Sequence, residues 1–193
     1  MNLRKLRKQD APLMLEWMHD SSVTKDLQTD FMSKEIEDCE KFITESWSDE
    51  ENLHLAITDE SDVYLGTVSL KNMMNDSAEF AITVRTSAMG RGIAAEAMDK
   101  IINIGFEEKK LNTIYWCVSP KNKRAVRFYE KNGYHRVPPD ALNIRGGTAN
   151  HRFKSTIGIS LQERKGKTES PDKKPGQTTE YGYSFPSYGC LRG

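Results

Sequence analysis

The stretch from Ser77 to Lys110, SAEFAITVRTSAMGRGIAAEAMDKIINIGFEEKK, constrains this chain more than any other. Phe80, Ile82 and Val84 alternate with Glu79, Ala81 and Thr83, the period of a strand with one buried face. Ile93, Ala97, Ile101 and Ile104 then recur at helical spacing, flanked by Ala94, Met98 and Ile102, a wide apolar stripe suited to covering a sheet. Between them lies Met89-Gly90-Arg91-Gly92-Ile93-Ala94. Glycines there let the backbone turn sharply and approach a ligand without Cβ interference. A helix beginning at such a turn offers unpaired N–H groups and the positive end of its dipole, which together suit a phosphate, and Arg91 adds a mobile cation. Any tight strand-to-helix turn favours glycine, so the turn alone leaves a cradle and simple punctuation both open.

The rest of the chain reads as alternating short elements. Leu3 and Leu6 suggest an opening strand, and Asp10 with Pro12 marks the start of a helix over PLMLEWMHD, whose methionines read as core filler. Residues 23–32 read as a loop, and Ser33 as the cap of a second helix carrying Ile36, Cys39, Ile43 and Trp47 on one face. Residues 52–58 and 63–70 read as a hairpin, with His54 on the face away from Leu53, Leu55 and Ile57, and Gly66 marking a bulge or a close backbone approach. TIYWCV at 113–118 is an interior strand, and Asn122 caps NKRAVRFYEKNG, a helix that stops at Gly133. Residues 134–137 and 151–162 complete the strands, around a loop bearing Pro and Gly. From Glu163 the composition turns polar and aliphatic residues vanish until Leu191, so 1–162 reads as one domain and 163–193 as a disordered tail. The expected class is α/β: a mixed, mostly antiparallel central sheet with helices on both faces.

The 193 residues carry no net charge, which removes any global pull toward nucleic acid or an anionic membrane. With neither a signal peptide nor a spanning segment legible, the expectation is a cytoplasmic protein that binds no membrane. Its three cysteines, Cys39, Cys117 and Cys190, are scattered, which suits a reducing compartment and offers no metal-ligand spacing. No metal is expected.

Two separated pieces, VRTSAMGRGIAAEAM and VSPKNKRAVRFYEKNGY, together resemble the GNAT superfamily of acyl-CoA-dependent N-acetyltransferases over about Leu3 to Leu161. With DAPLMLEWMHD, the second piece looks most like the branch named for ribosomal-protein N-terminal acetyltransferases. The family turn begins with Gln or Arg, where this chain has Met89. The resemblance implies acetyl-CoA as acyl donor, with its pyrophosphate on the backbone of Met89, Gly90, Arg91, Gly92, Ile93 and Ala94. It also implies pantetheine along Ile82, Thr83 and Val84, contacts from Asn122 and from Arg124 or Lys121, and the Val84 N–H as oxyanion donor. Tyr129 takes the place of the general acid; the competing reading is a core tyrosine. Glu79 is the candidate base on the strand leading to the slot, against a salt-bridged strand carboxylate.

The implied reaction is direct acetyl transfer to a primary amine, on a small molecule or a protein N-terminus, in a ternary complex. The alternative is a non-catalytic module that binds acyl-CoA or a partner, with Met89 as its motif-level support. Residues 23–32 and 138–150 are expected to frame the acceptor, with Arg145 and Arg152 hinting at an acidic one. The sequence leaves monomer or homodimer open.

Overall fold

The computed structural model describes residues 1–27, 29–134, 136–137 and 157–162. The described strands form one seven-stranded sheet in the order β1-β2-β3-β4-β5-β7-β6. Here β1 is Asn2–Lys5, β2 Leu53–Thr58, β3 Tyr64–Met74, β4 Ser77–Val84, β5 Thr113–Val118, β6 Arg136–Val137 and β7 Ile157–Gln162. Every pairing is antiparallel except β4 with β5. That parallel junction is reached by a crossover through α4 (Ile93–Asn103), as parallel neighbours require.

Strand alternation divides the core in two. Leu55, Ile57, Val68, Leu70 and Phe80 face α4 and α5 (Lys123–Lys131), packing on Ala97, Ile101, Trp116 and Tyr129. Ala56 and Tyr64 face the other way, onto α1 (Ala11–Met18) and α3 (Ile36–Glu45), where Met14, Trp17, Cys39 and Ile43 are buried. Each fully buried large side chain contributes about 1.5–3 kcal/mol, so both layers hold the sheet. Among the described residues no helix is long and apolar enough to cross a membrane.

Gly66 is both a bulge and a close approach. The β2–β3 register slips between Ile57 and Thr58, which pair with Gly66 and Tyr64, so Leu65 is the extra residue. The slip brings Tyr64 and Thr67 to one face although they are three apart, with their hydroxyls 2.7 Å from each other. A Cβ on Gly66 would lie 2.3 Å from the Thr83 carbonyl oxygen on β4.

Several local expectations need correction. Asp10 precedes α1 without capping it through its side chain. Its carboxylate instead accepts the Arg7 N–H at 2.8 Å and a two-pronged ion pair from Arg4, also at 2.8 Å. Glu35 rather than Ser33 precedes α3, and Asp38 closes the turn by accepting the Glu35 N–H at 3.0 Å. Trp47 lies beyond that helix, half exposed, its Nε1 donating to the Leu6 carbonyl at 2.8 Å. The 23–32 loop begins inside a single helical turn, α2 (Ser21–Thr24). The hairpin strand β3 runs four residues beyond Leu70. The loop 138–150 with Arg145, the first half of the closing strand with Arg152, and the tail with Cys190 lie outside the described residues.

Candidate active site

The site arises where two strands part. β4 and β5 pair only from Ser77 with Thr113 to Glu79 with Tyr115, after which β5 continues against β7 as far as Val118 with Ile157. Among the described residues the far half of β4 is left with an open edge. Alternate residues of a strand turn their N–H groups to opposite sides, and the Arg85 N–H is taken by the Leu65 carbonyl on β3 at 2.8 Å. The N–H groups of Val84 and Ile82 therefore face the opening.

The chain then makes a short 3-10 turn over Thr86–Ala88 and passes through Gly90 (φ 74°) and Gly92 (φ 78°) into α4. The Gly92 carbonyl accepts the N–H groups of Ala95 and Glu96, each at 3.1 Å. Those of Ile93 and Ala94, ahead of them, have no helical carbonyl to reach.

A cavity of about 460 Å³ runs along this opening. Ile82, Thr83 and Val84 line one wall, Met89, Gly90, Gly92, Ile93 and Ala94 the turn, and Asn122, Arg124 and Tyr129 the wall made by α5. The structure thus gathers every residue of the expected cofactor set except Arg91, which is exposed and lines no wall, and Lys121 is likewise outside it. Asn122 caps α5 as expected, its Oδ1 accepting the Ala125 N–H at 3.0 Å. Met89 packs against the α1–α3 layer, and its sulfur receives Arg124 Nη1 at 3.3 Å. The same nitrogen donates to the Ser22 carbonyl at 3.1 Å, and Thr86 Oγ1 donates to Asp20 at 2.5 Å. These contacts hold α2 across the mouth, and the Thr86 hydroxyl is the main reason the Asp20 carboxyl sits below its usual range.

Tyr129 is buried, its ring 5.3 Å from that of Trp116. Among the described residues its hydroxyl has no hydrogen-bond partner, and burial pushes its pKa far above the phenol range. It therefore stays protonated at neutral pH. Glu79 is not brought to the cavity. Its carboxylate lies 3.6 Å from Lys71 Nζ, its partner across β3, and it matches the competing reading of a salt-bridged strand residue.

A second cavity, of about 430 Å³, opens on the opposite face of the sheet. Met14, Trp17, Met18, Phe31 and Phe42 supply its apolar wall, and His54, Thr67 and Ser69 its floor. Trp17 and Phe31 meet edge to face at 5.1 Å, and Trp17 Nε1 donates to Tyr64 Oη at 3.1 Å. His54 Nδ1 is 2.8 Å from Ser69 Oγ, and its ring meets Phe42 at 4.8 Å. Burial lowers the pKa of His54, which leaves the imidazole neutral at neutral pH. Ile82 and Thr83 line both cavities, so the two meet at the open edge of β4. Of the 23–32 segment, Val23 and Leu27 line the first cavity and Phe31 the second. Sequence reasoning assigned His54 a face but no role. No local pattern points to one, because the column His54, Ser69, Ala81 is set by register across three strands.

The profile of the acetyltransferase (GNAT) domain matches residues 1–135. The chain belongs to the GNAT acetyltransferase family. Among curated members, the Campylobacter jejuni acetyltransferase PseH is 21% identical over 133 residues, covering 69% of this chain and 82% of its own. A Bacillus licheniformis protein described as an uncharacterized N-acetyltransferase, p20, is 28% identical over 142 residues, 70% of this chain and 79% of its own. Among solved GNAT structures, spermidine N-acetyltransferase SpeG of Vibrio cholerae in complex with CoA and spermine superposes with a TM-score of 0.64. At 19% identity, with 83% of this chain and 94% of that one covered, it attests the shared fold.

Proposed function

We propose that this chain transfers the acetyl group of acetyl-CoA to a primary amine by direct attack in a ternary complex. One observation carries the reading: two cavities on opposite faces of the sheet share Ile82 and Thr83 at the open edge of β4. A thioester lying along β4 on one side is there within reach of an amine held on the other, and such positioning supplies much of the rate. The turn through Gly90 and Gly92 holds the pyrophosphate on backbone N–H groups, and Arg124 meets the nucleotide.

In this reading the amine lone pair attacks the thioester carbonyl, whose oxygen takes the Val84 N–H. The C–S bond breaks, and Tyr129 protonates the departing thiolate, recovering its proton from solvent. Proton removal from the amine falls to His54 in place of Glu79, which lines neither cavity. Two strand spacings separate His54 from Ala81, roughly 10 Å, so the proton passes through Ser69 and water. The Asn122-to-Tyr134 pattern supports the ribosomal-protein N-terminal acetyltransferase branch.

Thiol release from acetyl-CoA across a panel of amines tests this function. Tyr129→Phe is expected to lower kcat about a hundredfold while acetyl-CoA binding changes less than about twofold. Turnover equal to the wild type would remove Tyr129 from the reaction. Binding without thiol release by the wild type would leave a non-catalytic module.

A further inference from the structure

The charges around the second cavity narrow the acceptor. Its described lining holds three lysines, Lys34, Lys41 and Lys71, against two carboxylates, Asp38 and Glu45. Each carboxylate is already spanned by a lysine one helical turn before it, Lys34 at 3.5 Å from Asp38 and Lys41 at 3.8 Å from Glu45. Lys71 is matched by Glu79, which lies outside the cavity. Below this rim the wall is methionine and aromatic, and the floor offers a neutral imidazole and hydroxyls.

Building on the transfer reading above, we infer that the acceptor is a primary amine carried next to an apolar or aromatic group, with no second positive charge. A polyamine would place a further ammonium among Met14, Trp17, Met18 and Phe31, or force it to compete with a lysine for Asp38 or Glu45. Desolvating an unpaired ion costs more than the attraction of the aromatic faces returns. The apolar body of a monoamine instead replaces water on surfaces that bind it. This chemistry occurs both in small arylalkylamines and in a peptide whose first residue is Leu or Phe.

The test measures kcat/KM for thiol release with phenylethylamine, with a short uncharged peptide beginning with Leu, and with spermidine. Calorimetry of acetyl-CoA binding runs in parallel. At least one of the first two is expected to exceed spermidine tenfold or more, and which one does so separates the two sources. Phe42→Ala should raise KM for that substrate at least fivefold. Equal or higher kcat/KM with spermidine would overturn this inference and leave acetyl transfer standing. Silence in all three arms with acetyl-CoA bound would overturn both. An unmoved KM in Phe42→Ala, with the variant's thermal transition intact, would also overturn the choice of cavity.

Discussion

Replacing Gly66 with alanine probes the joint between the fold and the site. The residue sits in the β2–β3 bulge opposite Val84, and an added Cβ would lie 2.3 Å from the Thr83 oxygen and 2.8 Å from Val84 Cα. Both neighbours are backbone, so neither can swing away. The shorter contact falls roughly 1 Å below a comfortable non-bonded separation, so β3 and β4 must part by about that much. Overpacking of this kind costs about 1–3 kcal/mol, and the rigid neighbours put Gly66→Ala at the upper end. Alanine's smaller unfolded-state entropy offsets up to about 1 kcal/mol, leaving a net loss of about 2 kcal/mol. With a urea slope near 2 kcal/mol/M, the unfolding midpoint should fall by about 1 M. Because the displaced residues Thr83 and Val84 line the first cavity, where acetyl-CoA is proposed to bind, KM for acetyl-CoA should rise as well. Gly90→Ala is the control: among the described residues nothing lies within 4 Å of the added Cβ, and the φ of +74° opposes the change, at about 1 kcal/mol. If Gly66→Ala unfolds at the wild-type midpoint, or later than Gly90→Ala, the close-approach argument is wrong.

Two further substitutions address other parts of the account. Asp10→Ala removes the buried partner of Arg4 and should cost about 3 kcal/mol in urea unfolding; a loss below about 1 kcal/mol would show that the pair is not structural. Burial holds the folded-state pKa of His54 below its ordinary 6.5, so the unfolded chain takes up the proton first and stability falls as pH drops below about 6.5. His54→Gln should flatten that decline and lower kcat; an unchanged stability profile between pH 7 and 5 would refute the burial assignment, and an unchanged kcat its part in proton transfer.

Elements with a clean period were legible from sequence. Phe80, Ile82 and Val84 and the stripe of α4 declared both their structure and their buried face, TIYWCV declared its strand, and Asn122 caps α5 as its residue type suggests. Non-local competition explains the misreadings. Asp10 has the chemistry of a helix cap, but Arg4 and the Arg7 N–H reach its carboxylate first. Glu79 lies on the face its alternation predicted, yet the β3 register sets Lys71 directly opposite, and no local pattern announces a cross-strand partner.

The site was legible in parts. The turn and α5 carry local signatures, so the walls of the first cavity could be assembled from two stretches of sequence. The second cavity could not, because it draws Met14, Phe31, Phe42 and His54 from four separate segments. Its floor also depends on the bulge at Gly66, which sets Tyr64 and Thr67 on one side of β3.

The central claim is that the acetyl group crosses directly from one cavity to the other. Single-turnover mixing of the protein with radiolabelled acetyl-CoA and an accepted amine, quenched through time, follows where the label goes. Label should appear on the amine at the rate of thiol release, with none on the protein. Label accumulating on the protein before the amine, or thiol released without acetylated amine, would contradict the account.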